Sequence, residues 1–285
     1  MNRRSFKPPG VRLALLVMSL ATPGASAAQD ASRTRDAMDE PLVTDRPDFT
    51  ESVEAVPAGH VQLEAGYTFA YDREGKDRLR DHSAPELLLR IGVAENVELR
   101  IGWNGYSWTE SQFQGETRRG HRVTRTDWTQ GAQDLSLGFK YKFAERDGLV
   151  PDLAVLGALA VPSGSRGASA GDVDPELLLL WAYDVTHAVA LAGSVGVAGR
   201  RDGGDQFVQT FASMSVALTL TERLGGYVEY FGFYPNTEHS DAAHFVNGGL
   251  TYLIDKNFQI DGRIGAGLNE EADDFFIGVG FAWRL

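Results

Sequence analysis

Residues Phe275–Leu285 read FFIGVGFAWRL, and alternate positions separate by kind. Phe275, Ile277, Val279, Phe281, Trp283 and Leu285 are large and apolar. Phe276, Gly278, Gly280, Ala282 and Arg284 are mostly small, with one charge. A period of two puts the two sets on opposite faces of a β-strand. One face is apolar along its whole length and must be covered by a dry core or by lipid.

The alternation recurs upstream. Val61, Leu63, Ala65, Tyr67, Phe69 and Tyr71 share a face, as do Val97, Leu99, Ile101 and Trp103, and Leu135, Leu137, Phe139, Tyr141 and Phe143. About twelve such segments follow Gly59, near 59–72, 83–94, 97–108, 130–143, 149–161, 173–185, 188–200, 207–220, 224–234, 242–254, 257–268 and 274–285. Each has about the 9–11 residues that a tilted membrane strand needs, or slightly more. The connections alternate in character. AEN (94–96), AERDG (144–148), TH (186–187), TER (221–223) and DKN (255–257) are tight turns. The stretches 73–82, 109–129, 162–171, 201–206, 236–241 and 269–273 read as longer, more charged loops. Five tight turns at one end and six looser loops at the other is the asymmetry of an outer-membrane barrel.

A soluble lipocalin-like barrel also alternates, with its apolar face inward. Two features favour the apolar face outward. The opposite face mixes Gly, Ala and Ser with charges of both signs. Aromatic residues also gather near both strand ends: Phe143, Trp181, Tyr183, Tyr252, Phe258 and Trp283 at the tight turns, and Tyr67, Phe69, Tyr71, Trp103, Trp108, Tyr234 and Phe275 at the other end. The fold expected is all-β: a transmembrane up-and-down antiparallel β-barrel of about 12 strands, preceded by a signal peptide. In hydrocarbon the sheet must join its own edges, so the final strand should pair with the first.

The remaining sequence fits an exported protein. Residues 1–27 have a basic start, the apolar run Leu13–Leu20 and the small-residue pattern Ala25-Ser26-Ala27, the layout of a cleaved secretory signal. Its removal would take the formal charge from −12 to −16 and argues against nucleic-acid partners. The chain has no cysteine, which excludes disulfides and thiolate metal sites. Residues 28–58 read as a periplasmic linker or plug segment, and 59–285 as the barrel. No cofactor is expected. The partners expected are outer-membrane lipid, small-molecule solutes and the outer-membrane assembly machinery, which would read the aromatic last strand although Leu285 replaces the usual terminal Phe or Trp.

The inward face would carry Glu64, Glu86, Arg90, Glu98, Arg100, Lys140, Lys142, Asp174, Glu176, Glu229, Asp261 and Arg263, with Asp134, Arg200 and Arg284. Such charges should pair across strands. They either fill and stiffen the barrel or line a constriction that selects solutes by charge and width. Inward glycines such as Gly66, Gly92, Gly102, Gly138, Gly196, Gly265, Gly278 and Gly280 would widen the bore or let strands curve. Ahead of the first strand, TDRPDFTES (Thr44–Ser52) gathers Asp45, Arg46, Asp48 and Glu51. It either folds into the periplasmic mouth as a gate, with Arg46 meeting lumen acids, or forms a capping turn. Asp45 and Asp48 match no EF-hand spacing.

Thr44–Ser52 and the following VPAGHVQLEAGYTF (Val56–Phe69), with its Pro-x-Gly-His, resemble the outer-membrane transporter family of the meta-pathway of phenol degradation type. GAQDLSLGFKYKF (Gly131–Phe143), PELLLLWAYDVT (Pro175–Thr186) and the last strand resemble its later strands. The resemblance covers about residues 42–285. It implies an outer-membrane barrel and a conduit for small hydrophobic or aromatic compounds. Two other readings stay open: a structural or ligand-sensing barrel with a closed lumen, and an outer-membrane lipid hydrolase. The hydrolase needs a nucleophile beside a base. Of His60, His82, His121, His187, His239 and His244, most fall in expected loops or at strand ends; none forms a His-x-Ser strand motif, and HSDAAH (His239–His244) contains Ser240 and Asp241 in a loop without a supporting pattern.

Overall fold

The structure, a computed structural model, describes residues 40–116, 122–202, 205–237 and 240–285. The leader expected over 1–27, His121 and His239 lie outside these. Among the described residues the chain forms β1 Val61–Glu74, β2 Asp77–Ala94, β3 Val97–Trp103, β4 Tyr106–Glu116, β5 Arg122–Ala132, β6 Leu135–Ala144, β7 Asp152–Val161, β8 Asp174–Asp184, β9 Val189–Asp202, β10 Asp205–Thr219, β11 Leu224–Pro235, β12 Ala243–Asp255, β13 Phe258–Gly267 and β14 Phe275–Arg284.

Twelve of these close into a ring of antiparallel neighbours: β1, β2, β3, then β6 through β14 and back to β1. The closing seam pairs Gln62 with Arg284 and continues to Tyr71 with Phe275. Closure leaves no open edge in the hydrocarbon. The expected twelve-stranded barrel is thus the fold observed.

Two of the longer expected loops are corrected. Most of 73–82 and of 109–129 is strand. β2 pairs with β3 only as far as Leu87↔Trp103, then resumes with β4 from Ala84↔Tyr106. Pro85 lies in the gap and has no N–H to give a ladder. Opposite it the chain turns at Gly105, whose φ of 78° is left-handed and where a Cβ would strike the Pro85 carbonyl. β4 then pairs with β5, so the wall continues beyond the barrel as a hairpin. Its polar residues mimic a loop in sequence because they leave the apolar zone.

The faces divide as the period of two requires. Ile264 (62% exposed) and Val279 (54%) point out, as do Leu99, Ile101, Leu137, Leu177, Val195 and Trp283. Glu64, Arg90, Glu98 and Lys140 point in and are fully buried. A soluble barrel would reverse this arrangement. The interior is not polar throughout, however. Leu156, Leu178, Leu180, Phe211, Phe231, Phe233, Phe245 and Phe276 also face inward and form one apolar cluster.

Candidate functional site

The inward charges gather where β1, β2, β3 and β6 adjoin. Arg90 is paired directly with Arg100 across the β2–β3 ladder, and Glu98 with Lys140 across β3–β6. Like charges opposite one another repel, and a low-dielectric bore magnifies the cost. The acids Glu64 and Glu98 answer part of it: Arg90 meets Glu64 at 3.0 Å and Glu98 at 2.9 Å, and Arg100 meets Glu98 at 2.9 Å.

The missing negative charge comes from the segment before β1. Asp45 sits among all three cations, bonded to Arg100, 3.0 Å from Lys140 and 3.4 Å from Arg90. With it, three cations face three acids. Burial alone would raise the Asp45 pKa, but Arg90, Lys140 and Arg100 together hold it well below the usual carboxylate range. Glu51 is a fourth acid, 2.7 Å from Arg100. Burial, with the adjacent Asp45 charge, outweighs Arg100 and pushes Glu51 up to about 8.

The segment follows one path. Leu42 N–H donates to the Lys256 carbonyl in a tight turn, so the segment enters at the end where β1 starts and β14 stops. Arg46 reaches Asp261 at 3.2 Å and Glu86 at 3.4 Å. Arg263 donates to the Pro47 carbonyl at 2.9 Å. At the tip, the Phe49 and Thr50 N–H groups donate to the two Glu229 oxygens at 2.8 and 2.6 Å, and Thr50 and Ser213 hydroxyls lie 2.7 Å apart. The chain then returns. Lys142 binds Glu54 at 2.6 Å, Val56 N–H donates to Glu98 at 2.9 Å, and Gly59 N–H donates to the Gly92 carbonyl. Asp48, beside Glu229, is raised well above an ordinary carboxyl by burial and by that neighbour's charge.

Glycines make the room. A Cβ on Gly66 or Gly280 would overlap the Arg46 guanidinium, and one on Gly92 the Pro57 carbonyl. Gly196 and Gly265 are likewise filled by the Phe211 and Phe276 rings. The expected widening of the bore is therefore corrected: these absent side chains are replaced by other protein atoms. A cavity of about 340 Å³ remains beside the segment, between Thr44, Pro47 and Asp48 on one side and Ala190, Ala217, Gly225 and Tyr227 on the other.

Of the inward residues expected from sequence, Glu64, Glu86, Arg90, Glu98, Arg100, Lys140, Lys142, Glu229, Asp261 and Arg263 lie against the segment carrying Asp45, Arg46, Asp48 and Glu51. Glu176 does not: it pairs with Arg200 at 2.7 Å, on the far part of the wall where Asp174 also sits. Asp134 accepts from the Gly164 and Ala170 N–H groups and holds the loop 162–173. His244 is on the exterior, its Nδ1 2.7 Å from the Tyr230 hydroxyl. The inward phenylalanines were missed in sequence. Their signal is apolar residues on both phases, as in ELLLLWA (176–182) and YFGFY (230–234).

Residues 44–285 match the family described as "Putative MetA-pathway of phenol degradation". The chain belongs to this family. Solved structures similar to this phenol-degradation family member include an outer membrane channel from Pseudomonas putida F1, at TM-score 0.60 and 13% identity, covering 84% of this chain and 100% of that one. Another is the translocator domain of the autotransporter NalP from Neisseria meningitidis, at TM-score 0.52 and 10% identity, covering 91% and 96%. At such identities the likeness is one of fold, that of an outer-membrane β-barrel. Among curated proteins none matches this family member.

Proposed function

We propose that this barrel is an outer-membrane channel for passive passage of small hydrophobic or aromatic solutes, and that residues 42–57 are its plug. The observation that carries the reading is how the segment is held. It enters and leaves by the same end, occupies the bore to mid-depth, and is bound to the wall through ion pairs and hydrogen bonds that can exchange for water. A covering cap would stop at the mouth, whereas Phe49 and Thr50 reach Glu229 and Ser213 midway along β10 and β11. The family's description supports the solute class. The wall residues that meet the plug form the constriction, and the outward aromatic face of β14 is the surface offered to the assembly machinery. Residues 1–27 serve as the export signal. No enzymatic step is assigned; the His244 ring nitrogen lies 2.7 Å from the Tyr230 hydroxyl.

The test uses the absence of native cysteine. A Thr50→Cys/Ser213→Cys pair joins two positions whose hydroxyls touch. In planar bilayers the oxidised protein should be silent and the reduced protein should show open steps. Silence of the reduced protein, and of a folded barrel lacking residues 41–57, would overturn the channel and favour the closed structural barrel. The density of the charged cluster around Asp45 is the observation on that second side.

A further inference from the structure

Phe49 is the only ring the plug places among the aromatic residues of the wall. Its ring stacks on Phe231 with centroids 4.5 Å apart and planes 13° apart. It meets Phe233 edge-on at 5.3 Å and Phe211 edge-on at 6.2 Å. The wall rings are already fixed by one another: Phe231 stacks on Phe245 at 4.8 Å, and Phe233 meets Phe231 edge-on at 5.9 Å. These contacts do not depend on Phe49. If it left, a slot one ring thick would remain, with the Phe231 face as its floor and the perpendicular Phe233 and Phe211 rings at its sides.

We propose that this slot binds one monocyclic phenol, and that the solute opens the channel by taking the place of Phe49. The inference rests on the plug reading above and adds to it the identity of the site and of its trigger. An aromatic ring offers a negative face and a positive edge, and stacked and edge-on neighbours both reward that distribution. A saturated ring of the same size fills the space without that reward and should bind about tenfold more weakly. The polar end of the site is Glu229. It lies two residues before Phe231 on the same inward face of β11 and accepts from the Phe49 and Thr50 N–H groups and from Asn247 Nδ2 at 2.6 Å. Displacing the tip removes both backbone donors and the Thr50 hydroxyl from a buried carboxylate. A phenolic hydroxyl in the slot supplies one in return, which benzene cannot do. The tip has somewhere to go, because the 340 Å³ cavity adjoins Pro47 and Asp48.

The test is solute-dependent exposure of the plug. Val53 is 5% exposed while the plug is seated. A Val53→Cys reporter in otherwise intact protein should react slowly with a polar maleimide. Phenol should accelerate the reaction about tenfold and saturably, while cyclohexanol at equal concentration should not. In a Val53→Cys/Phe49→Ala background, labelling should start fast and phenol should add nothing. Phe49→Leu in place of Phe49→Ala keeps the volume of the tip should the alanine variant fold poorly, and carries the same expectation. Equal acceleration by phenol and cyclohexanol, equal phenol response with and without Phe49, or no response would each overturn the proposal. Currents recorded from the same proteins separate the two claims. Phenol-independent labelling in a conducting channel rejects the slot alone, and phenol-dependent labelling in a barrel that never conducts rejects the channel.

Discussion

Lys140 Nζ lies 3.0 Å from both carboxylate oxygens of Asp45, a residue 95 positions earlier, and both side chains are buried. The contact joins a wall strand to a segment outside the sheet. It also completes the neutrality of a cluster whose wall residues alone carry three cations and two acids. The wall has thus been built with a charge deficit that the plug fills.

Asp45→Asn should therefore release the plug more than it harms the barrel. Removing one partner of a buried ion cluster costs about 3–5 kcal/mol when the remaining charge stays unpaired. Here the freed cations can be reached by water once the plug leaves, so the loss falls on docking. Open probability in bilayers should rise, while the heat-modified mobility shift of the folded barrel persists. A Lys140→Met change in the same chain should restore part of the closure, because it removes the excess cation.

The plug should loosen as pH rises. The Glu51 carboxyl is held protonated up to about 8 in the seated plug, against 4.5 in its ordinary state. The seated form thus binds the extra proton, and that contribution is complete below about pH 4.5 and lost as pH passes through 8. Asp48 shifts in the same direction and adds to the effect. Asp45, lowered instead, stays charged across this range and contributes no slope. Open probability recorded from pH 5 to pH 9 should increase, and Glu51→Gln should flatten the upper part of the curve. A fall in open probability over that range would contradict the assignment.

Gly66→Ala should expel Arg46 from its place; Gly280 is a poorer site for this test, because a Cβ there would also strike the Ala65 carbonyl of the neighbouring strand. The methyl group added at Gly66 meets the guanidinium, which then loses Asp261 and Glu86. The expected phenotype is a folded barrel with raised open probability. Gly115→Ala is the matched control: it lies in the β4–β5 hairpin with nothing within 4 Å of a new Cβ, and should leave conductance unchanged.

Val279→Arg tests the outward face. Val279 points away from the bore at mid-strand, opposite Tyr67 and Gly262. An arginine near the bilayer midplane costs about 2–4 kcal/mol. The unfolding midpoint in lipid vesicles should fall accordingly. A soluble barrel with Val279 in its core would instead aggregate without lipid dependence.

The barrel was legible because its rule is local. A period of two and a turn every ten or so residues survive in a single sequence, and Phe275–Leu285 carries both. The seam followed from hydrocarbon physics rather than from any residue. Extended hairpins were misread, since outside the bilayer β4 and β5 lose the apolar alternation that marks strands. The interior was half legible. Charges such as Arg90 and Glu98 announce themselves on the small-residue face, but their partner Asp45 is distant in sequence, and only its company in TDRPDFTES hinted at a role. Inward phenylalanines were hidden because Phe231 and Phe276 sit beside outward aromatics, where both faces look alike. The inward glycines suggest either a wider bore or curved strands, because nothing in a sequence says what occupies the volume a side chain leaves.

The plug is tethered at both ends: Leu42 is tied to Lys256, and Gly59 to Gly92 and onward into β1. Its tip is a loop of under twenty residues, and loops so short re-encounter their sites at effective concentrations in the millimolar range. Unseating is therefore never a dissociation. Reclosure is first-order, indifferent to how much protein a cell makes, and complete once the competing solute has cleared, so a single barrel should flicker between states rather than commit to one.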